Sequence, residues 1–401
     1  MTAVETPHVN LLDPHFYVDP WAAYKWLRDE SPVHWDPVQK LWGISRYEDV
    51  LMVEKDTAVY TSFKGSRPHI DQTENRSMID LDDPAHQQQR KLVVRRFTPR
   101  AVRTHEDRIR ALADSILDEA TAGGNRSFEV IDSVASRLPA MVIAELLGYA
   151  PEQWELIRTV SETTMHAGGQ TSVDGEEPYI NVTEESTAAM MEWIPATMGI
   201  MAARRSEPRE DLISVWCHSE TDGNPWDDAK ILDEILLVVD GGAETTRTVI
   251  GSIVRELALR PDSQRQLREH PEMLTDSVEE FIRWVSPVLN MRRTVTGDHE
   301  LRDQLLHQGD EVLLLYASAN RDERAFDRPE EFDVGRERNH HVAFGFGTHV
   351  CLGAPLARLE LQIMFERLLA RLPEWRLVPG TEPKIIPSTF ARAFDAVHIE
   401  F

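Results

Sequence analysis

Cys351 is the residue of this chain best placed to do chemistry. It stands in the run Phe344-Gly345-Phe346-Gly347-Thr348-His349-Val350-Cys351-Leu352-Gly353, a glycine-rich loop that carries one thiol and leads straight into a helix. That helix is legible in Leu356, Leu359, Ile363 and Leu369, apolar residues at helical intervals from Ala354 to about Leu372. A sulfur at the mouth of a helix lies near its positive end and its unpaired backbone N–H groups, which favour thiolate over thiol. Glycines let the backbone turn tightly and leave no side chains beneath whatever the sulfur binds. The chemistry implied is a lone anionic sulfur ligand facing a flat object.

A second constellation is Asp240-Gly241-Gly242-Ala243-Glu244-Thr245-Thr246, inside a long helical pattern. Two glycines in a helix interior cost roughly 1 kcal/mol each relative to alanine, so something needs them. One reading is close helix–helix packing. The other is a notch, where freed carbonyls and a threonine hydroxyl bond to something lodged there. A carboxylate beside a hydroxyl offers a proton source and a relay. Asp240, next to Leu237, Val238 and Val239, needs a partner or a proton, and the sequence names neither.

The Cys351 loop resembles the haem-binding signature of the cytochrome P450 family, Phe-x-x-Gly-x-x-x-Cys-x-Gly, with Phe344, Gly347, Cys351 and Gly353 at the fixed positions. The resemblance implies one haem b per chain with Cys351 as proximal iron ligand, Phe344 beside the sulfur and His349 reaching a propionate. The glycine segment is similar to the family's oxygen-binding helix. That implies that Gly242 opens an oxygen groove, Glu244 is the acid and Thr245 the alcohol. His86 and Arg90 stand four apart on one helix face, after an Asp83-Pro84 start. Arg293 matches the family's strand arginine, so the resemblance directs four cations, with His349, at two propionates. Arginine suits that task because it can hold a carboxylate bidentately. Glu280-Phe281-Ile282-Arg283 resembles the family's buried Glu-x-x-Arg pair, with Arg336 as its later partner, a folding device.

Elements that would position these residues are mostly helical. Ile109, Leu112, Ile116 and Leu117 mark a helix from Ala101 to Ala122, stopped at Gly123-Gly124. Val134, Leu138, Met141 and Val142 mark another before Gly148, and a very long one runs from about Asp227 to Leu259. Strand-like pieces are Leu41 to Ile44, Val312 to Leu315 and Val397 to Phe401. The fold class expected is mainly α with small β-sheets (α+β), one domain over residues 1–401 with a β-rich corner. Tyr60 to Asp80 and Met165 to Thr183 look irregular and polar, as functional lids do.

Composition limits the partners. A formal charge of −25 excludes general nucleic-acid binding, which needs a basic surface. Two cysteines rule out a disulfide framework and fit a reducing cytosol. The N-terminus has no signal-peptide pattern, and no apolar run nears the roughly 20 residues of a membrane span, so a cytoplasmic protein without an anchor is expected. No G-x-G-x-x-G fingerprint is present, so electrons must come from outside, which the resemblance assigns to a ferredoxin and ferredoxin reductase. Lys91, Arg95, Arg96, Arg100 and Arg358 are either their docking patch or scattered surface cations.

The function implied is a haem-thiolate monooxygenase that hydroxylates a C–H bond of a lipophilic molecule with O2 and two electrons. By family analogy the substrate pocket is lined from Tyr60 to Met78, Met165 to Thr183, Leu236 to Gly241, Val288 to Met291 and Ser388 to Phe394. Met165 and Met291 are either an adaptable wall or ordinary core. Met78 to Pro84 and Pro287 to Met291 resemble actinobacterial members that oxidise sterol side chains, so a steroid ranks before a terpenoid or branched fatty acid. A non-catalytic haem-thiolate sensor would not need Glu244 and Thr245, and a peroxide-driven enzyme would normally lack the alcohol.

Overall fold

Asp227 starts the longest helix: its carboxylate accepts from the Lys230 N–H at 2.8 Å, and the helix runs over Asp228–Leu259. Its second half is buried on every side, from Val249 to Val254. Around it pack the helices Arg137–Leu147, Trp154–Ala167, Leu274–Val285 and Ala354–Arg371. The computed structural model describes residues 7–71, 76–167, 170–171, 179–180 and 183–401. Among them no helix is long and apolar enough to cross a membrane.

The β-rich corner is a five-stranded sheet in the order Val33–Asp36, Leu41–Ile44, Glu311–Leu315, Asn290–Val295, Tyr60–Thr61. Val312 pairs in parallel with Trp42 and antiparallel with Arg293, which fixes where Arg293 stands. Leu41–Ile44 is buried at every position, so this strand reads as continuous rather than alternating hydrophobicity. The C-terminal strand His398–Glu400 joins Arg376–Leu377 and Ser127–Glu129 in a second sheet.

Three differences from the sequence reading have local causes. The run Ala101 to Ala122 is two helices, Pro99–Arg103 and Glu106–Ala120, because the Thr104 hydroxyl donates to the Ala101 carbonyl at 2.6 Å and closes the first turn. The helix before Gly148 begins as a π-turn, Ile131–Ala135. Glu184–Ser206 is a helix that periodicity does not reveal: it buries Ser186, Ala189, Trp193, Thr197, Met201 and Arg204 while exposing Met191, Ile194 and Met198, with Pro195 inside. Of the two irregular segments, the first holds the strand Tyr60–Thr61 and a 3-10 turn, Met78–Asp80. Most of the second lies outside the described residues.

Glu280, Arg283 and Arg336 form a buried cluster. Glu280 accepts from Arg283 at 2.7 and 2.8 Å, from Arg336 Nε at 2.9 Å and from Asn339 at 3.0 Å. Arg283 also donates to the Asn320 and Pro329 carbonyls, tying its helix to the segment that precedes the Cys351 loop. Breaking such a pair leaves an uncompensated buried charge. Glu280→Ala should therefore cost about 3–5 kcal/mol in denaturant unfolding, and Glu280→Gln most of that.

Candidate active site

One cavity joins the middle of the long helix to the Cys351 loop. Its space, including the part open to solvent, measures about 1460 Å³. Leu237, Val238, Val249, Val288 and Met291 supply apolar wall.

The Cys351 loop is shaped by its own backbone. Gly347 has φ +71°, and a Cβ there would stand 2.7 Å from the Glu54 carbonyl oxygen. Cys351 donates its N–H to the Phe344 carbonyl at 2.8 Å. Arg358 lies over the Phe344 ring at 4.6 Å and grips Glu279 at 2.6 and 2.8 Å. Burial alone would raise Glu279, but Arg358 and His341 outweigh it and bring its carboxyl to about 2. Cys351 is exposed, yet the surface it shows is cavity wall. Burial pushes its thiol up, and the N–H groups of Gly353 and Ala354, with Arg90 and Arg358, only partly oppose this.

His86, Arg90, Arg293 and His349 all reach this cavity. Arg90 donates to the Val350 carbonyl at 2.6 Å, and His86 and His349 lie with ring centroids 4.1 Å apart. Burial, then Arg293 and His86, pushes His349 down to about 3. Burial also lowers His86, despite Asp83 at 3.0 Å. Both shifts favour the neutral imidazole, so the lasting charges of this four-residue set are those of Arg90 and Arg293. Arg293 is already engaged: Nη2 donates to Glu54 at 2.7 Å and Nη1 to the Arg292 carbonyl at 2.8 Å. Glu54 also accepts from Tyr316 and escaped the sequence reading. Its place four residues after buried Val50 on one helix was the available signal.

At the notch both glycines line the cavity, and they differ in what stands beside them. A Cβ on Gly242 would sit 2.4 Å from Ile143, so Gly242 serves helix packing. Gly241 has nothing within 4 Å of that point and is the open face. Thr245 Oγ1 donates to the Gly241 carbonyl at 2.9 Å, on the cavity wall. Glu244 is buried behind that wall and pairs with Arg247, which reaches half-exposed Glu162 at 2.9 Å. Neither Glu244 nor Gly347 lines the cavity.

Asp240 gains the partner the sequence lacked, Thr164, whose hydroxyl donates at 2.5 Å. Burial pushes its carboxyl up to about 7 against 3.8 unperturbed. The folded state therefore holds a proton that the unfolded chain has released, and this contribution is lost as pH rises from about 4 to about 7. Asp240→Asn should remove that slope, so its melting temperature should gain on the unaltered protein across this window. Glu360, on the helix after Cys351, also lines the cavity. Its Oε1 has no partner among the described residues, and burial pushes the carboxyl to about 8, so it stays protonated at neutral pH.

The family model Cytochrome P450 matches residues 200–395. A steroid C26-monooxygenase of Mycobacterium tuberculosis (strain H37Rv) is 38% identical over 99% of this chain and 98% of its own. The chain belongs to the cytochrome P450 family. It is a monooxygenase with the P450 fold. The solved CYP109E1 of Bacillus megaterium in complex with testosterone superposes with a TM-score of 0.87 at 31% identity, over 96% of this chain and 99% of that one. CYP268A2 of Mycobacterium marinum, in complex with pseudoionone, gives 0.88 at 28% identity over the full length of both chains.

A P450 carries haem, and the residues present fit one. The sulfur of Cys351 and the open face of Gly241 share one apolar cavity. At its edge, burial lowers the Arg90 guanidinium as well as both imidazoles. Glu54 answers Arg293 and Asp83 bonds His86, whereas Arg90 has no acid partner among the described residues, which suits a carboxylate brought by the cofactor.

Proposed function

We propose that this P450 hydroxylates a C–H bond of a steroid, using O2 and electrons relayed by a ferredoxin reductase and a ferredoxin. The observation that carries the reading is the large apolar cavity reached by Cys351, in a chain 38% identical to a steroid C26-monooxygenase along its whole length. In its haem assignment, b-type with one per chain, Cys351 would supply the sulfur ligand to the iron, Phe344, Gly347 and Gly353 would shape the loop, Gly242 would keep the facing helix close, and Arg90, Arg293, His86 and His349 would hold the propionates. The two imidazoles act there as hydrogen-bond partners. When bound, the haem supplies oxygen activation and C–H oxidation.

The chain's own residues do the rest. Thr245 presents its hydroxyl at the cavity wall, and its hydrogen bond to Gly241 can open to offer a proton. Glu244, Arg247 and half-exposed Glu162 connect that point with the outside. The Cys351 loop exposes Phe346 and Val350, with Lys55 5.1 Å over the Phe346 ring. Exposed Lys91, Arg95 and Arg100 and half-exposed Arg96 follow Arg90, which donates to the Val350 carbonyl of this loop, and their positive charge suits an acidic ferredoxin. Arg358 belongs less to this surface, being held by Glu279.

A titration of the ferric protein with steroids, terpenoids and branched fatty acids tests the substrate class. Steroids should shift the Soret band by displacing water from the iron at the lowest concentrations. A shift confined to compounds such as pseudoionone would favour a terpenoid and remove the steroid assignment.

A further inference from the structure

One guanidinium is left unexplained by the chemistry at Cys351. Arg67 lies between the strand Tyr60–Thr61 and the turn Met78–Asp80. Its Cζ stands 3.1 Å from the centroid of the Phe390 ring. Phe390 clusters with Met165 and Ala391, and Val288 and Met291 pack against that cluster while forming wall of the cavity. Arg67 therefore stands in the layer directly behind the wall that Val288 and Met291 form, without itself lining the cavity. Its Nη1 is buried and has no hydrogen-bond partner among the described residues. A buried donor without a partner is costly, so the fold alone does not account for it. Burial lowers Arg67 to about 10, which leaves it charged at neutral pH, and Asp240 and Asp80 are near enough to favour that charge. Both acids are otherwise engaged: Asp80 accepts the Ser66 N–H at 2.8 Å and Asp240 the Thr164 hydroxyl at 2.5 Å.

We propose that Arg67 is a specificity-determining residue whose Nη1 donates to an uncharged oxygen, a ketone or a hydroxyl, on the substrate away from the carbon that is oxidised. The inference deepens the P450 reading given above and rests on it. An uncharged acceptor follows from the surroundings, because a carboxylate would set a further negative group beside Asp80 and beside an Asp240 carboxyl that burial already drives toward its protonated form. The stacked Phe390 ring holds the guanidinium plane, so the donor is oriented before the ligand arrives.

Equilibrium dialysis of the holoenzyme with matched probes tests this. The probes are androst-4-en-3-one against androst-4-ene, 1-dodecanol against dodecane, and dodecanoate. The oxygen-bearing member should bind about tenfold tighter, the effect expected of one buried hydrogen bond from a charged donor. In Arg67→Met that preference should fall below about twofold, with affinity for the oxygen-free member little changed. Arg67→Lys, which keeps a charged donor, should restore part of it. An undiminished preference in Arg67→Met overturns the proposal, as does tighter binding of dodecanoate than of dodecanol that depends on Arg67. If the dodecanol pair behaves as expected while no steroid binds, Arg67 keeps its role and the steroid assignment falls. If neither pair binds, both fall.

Discussion

Cys351→His should abolish the red-shifted Soret band that marks thiolate ligation in the reduced, CO-bound protein, while leaving the fold in place. The sulfur is reached only through the shape of its loop. Gly347 must adopt φ +71° against the Glu54 carbonyl, and the Cys351 N–H is tied to Phe344. These constraints are backbone constraints, so they survive replacement of the side chain. An imidazole can still meet the iron, but it cannot donate the electron density of a thiolate. Cys351→Ala should lose the band as well. Cys217, whose thiol points to the Met201 carbonyl at 3.6 Å, should be replaceable by serine without spectral change. Retention of the band in Cys351→Ala would remove Cys351 from the iron. The expected loss is complete because Cys217, the other cysteine, does not line the cavity. Deprotonation of Cys351 depends on a metal cation at the sulfur, where a coordinated thiol gives up its proton.

How much of this was legible in the sequence depends on how local each cause is. The Cys351 loop is read directly, because glycine spacing and the following helix are properties of adjacent residues. The long helix is also plain, since its Asp227 cap and its apolar positions are local. Helix Glu184–Ser206 was hidden because its two faces read alike: Ser186, Thr197 and Arg204 are buried beside Trp193 and Met201, while the exposed face carries Met191, Ile194 and Met198. At the site, the sequence could say that two glycines were needed, but not which faced which neighbour. That depended on Ile143, roughly a hundred positions earlier, filling the space at Gly242. Asp240 and Glu54 were opaque for the same reason: Thr164, Arg293 and Tyr316 are brought to them only by tertiary packing. Likewise, four cations aligned by spacing leave two lasting charges, because burial favours the neutral imidazoles.

Thr245→Ala should uncouple the reaction rather than weaken substrate binding. Thr245 is the hydroxyl on the cavity wall one helical turn from the open glycine, and its bond to the Gly241 carbonyl holds it there at 2.9 Å. Its loss leaves water as the local proton donor, without the fixed geometry that general acid catalysis exploits, typically about 10²–10⁴-fold. Oxygen that is reduced without productive proton delivery leaves as hydrogen peroxide. NADH should therefore still be consumed through the redox partners, peroxide should rise, and product per NADH should fall several-fold, with substrate affinity little changed. Glu244→Gln should behave differently. Glu244 does not touch the cavity but is paired with Arg247, and through it with Glu162 at the surface. Neutralising it breaks the path by which protons are resupplied, so turnover should slow as a whole while coupling changes less. The removal also leaves Arg247 with Glu162 alone, so a thermal denaturation of Glu244→Gln separates lost stability from lost rate. The decisive comparison is NADH consumed, peroxide released and product formed, measured in parallel for the three proteins. Full coupling in Thr245→Ala would mean that its hydroxyl only satisfies the Gly241 carbonyl, and that protons reach the cavity by another group, for which protonated Glu360 is the candidate already on its wall.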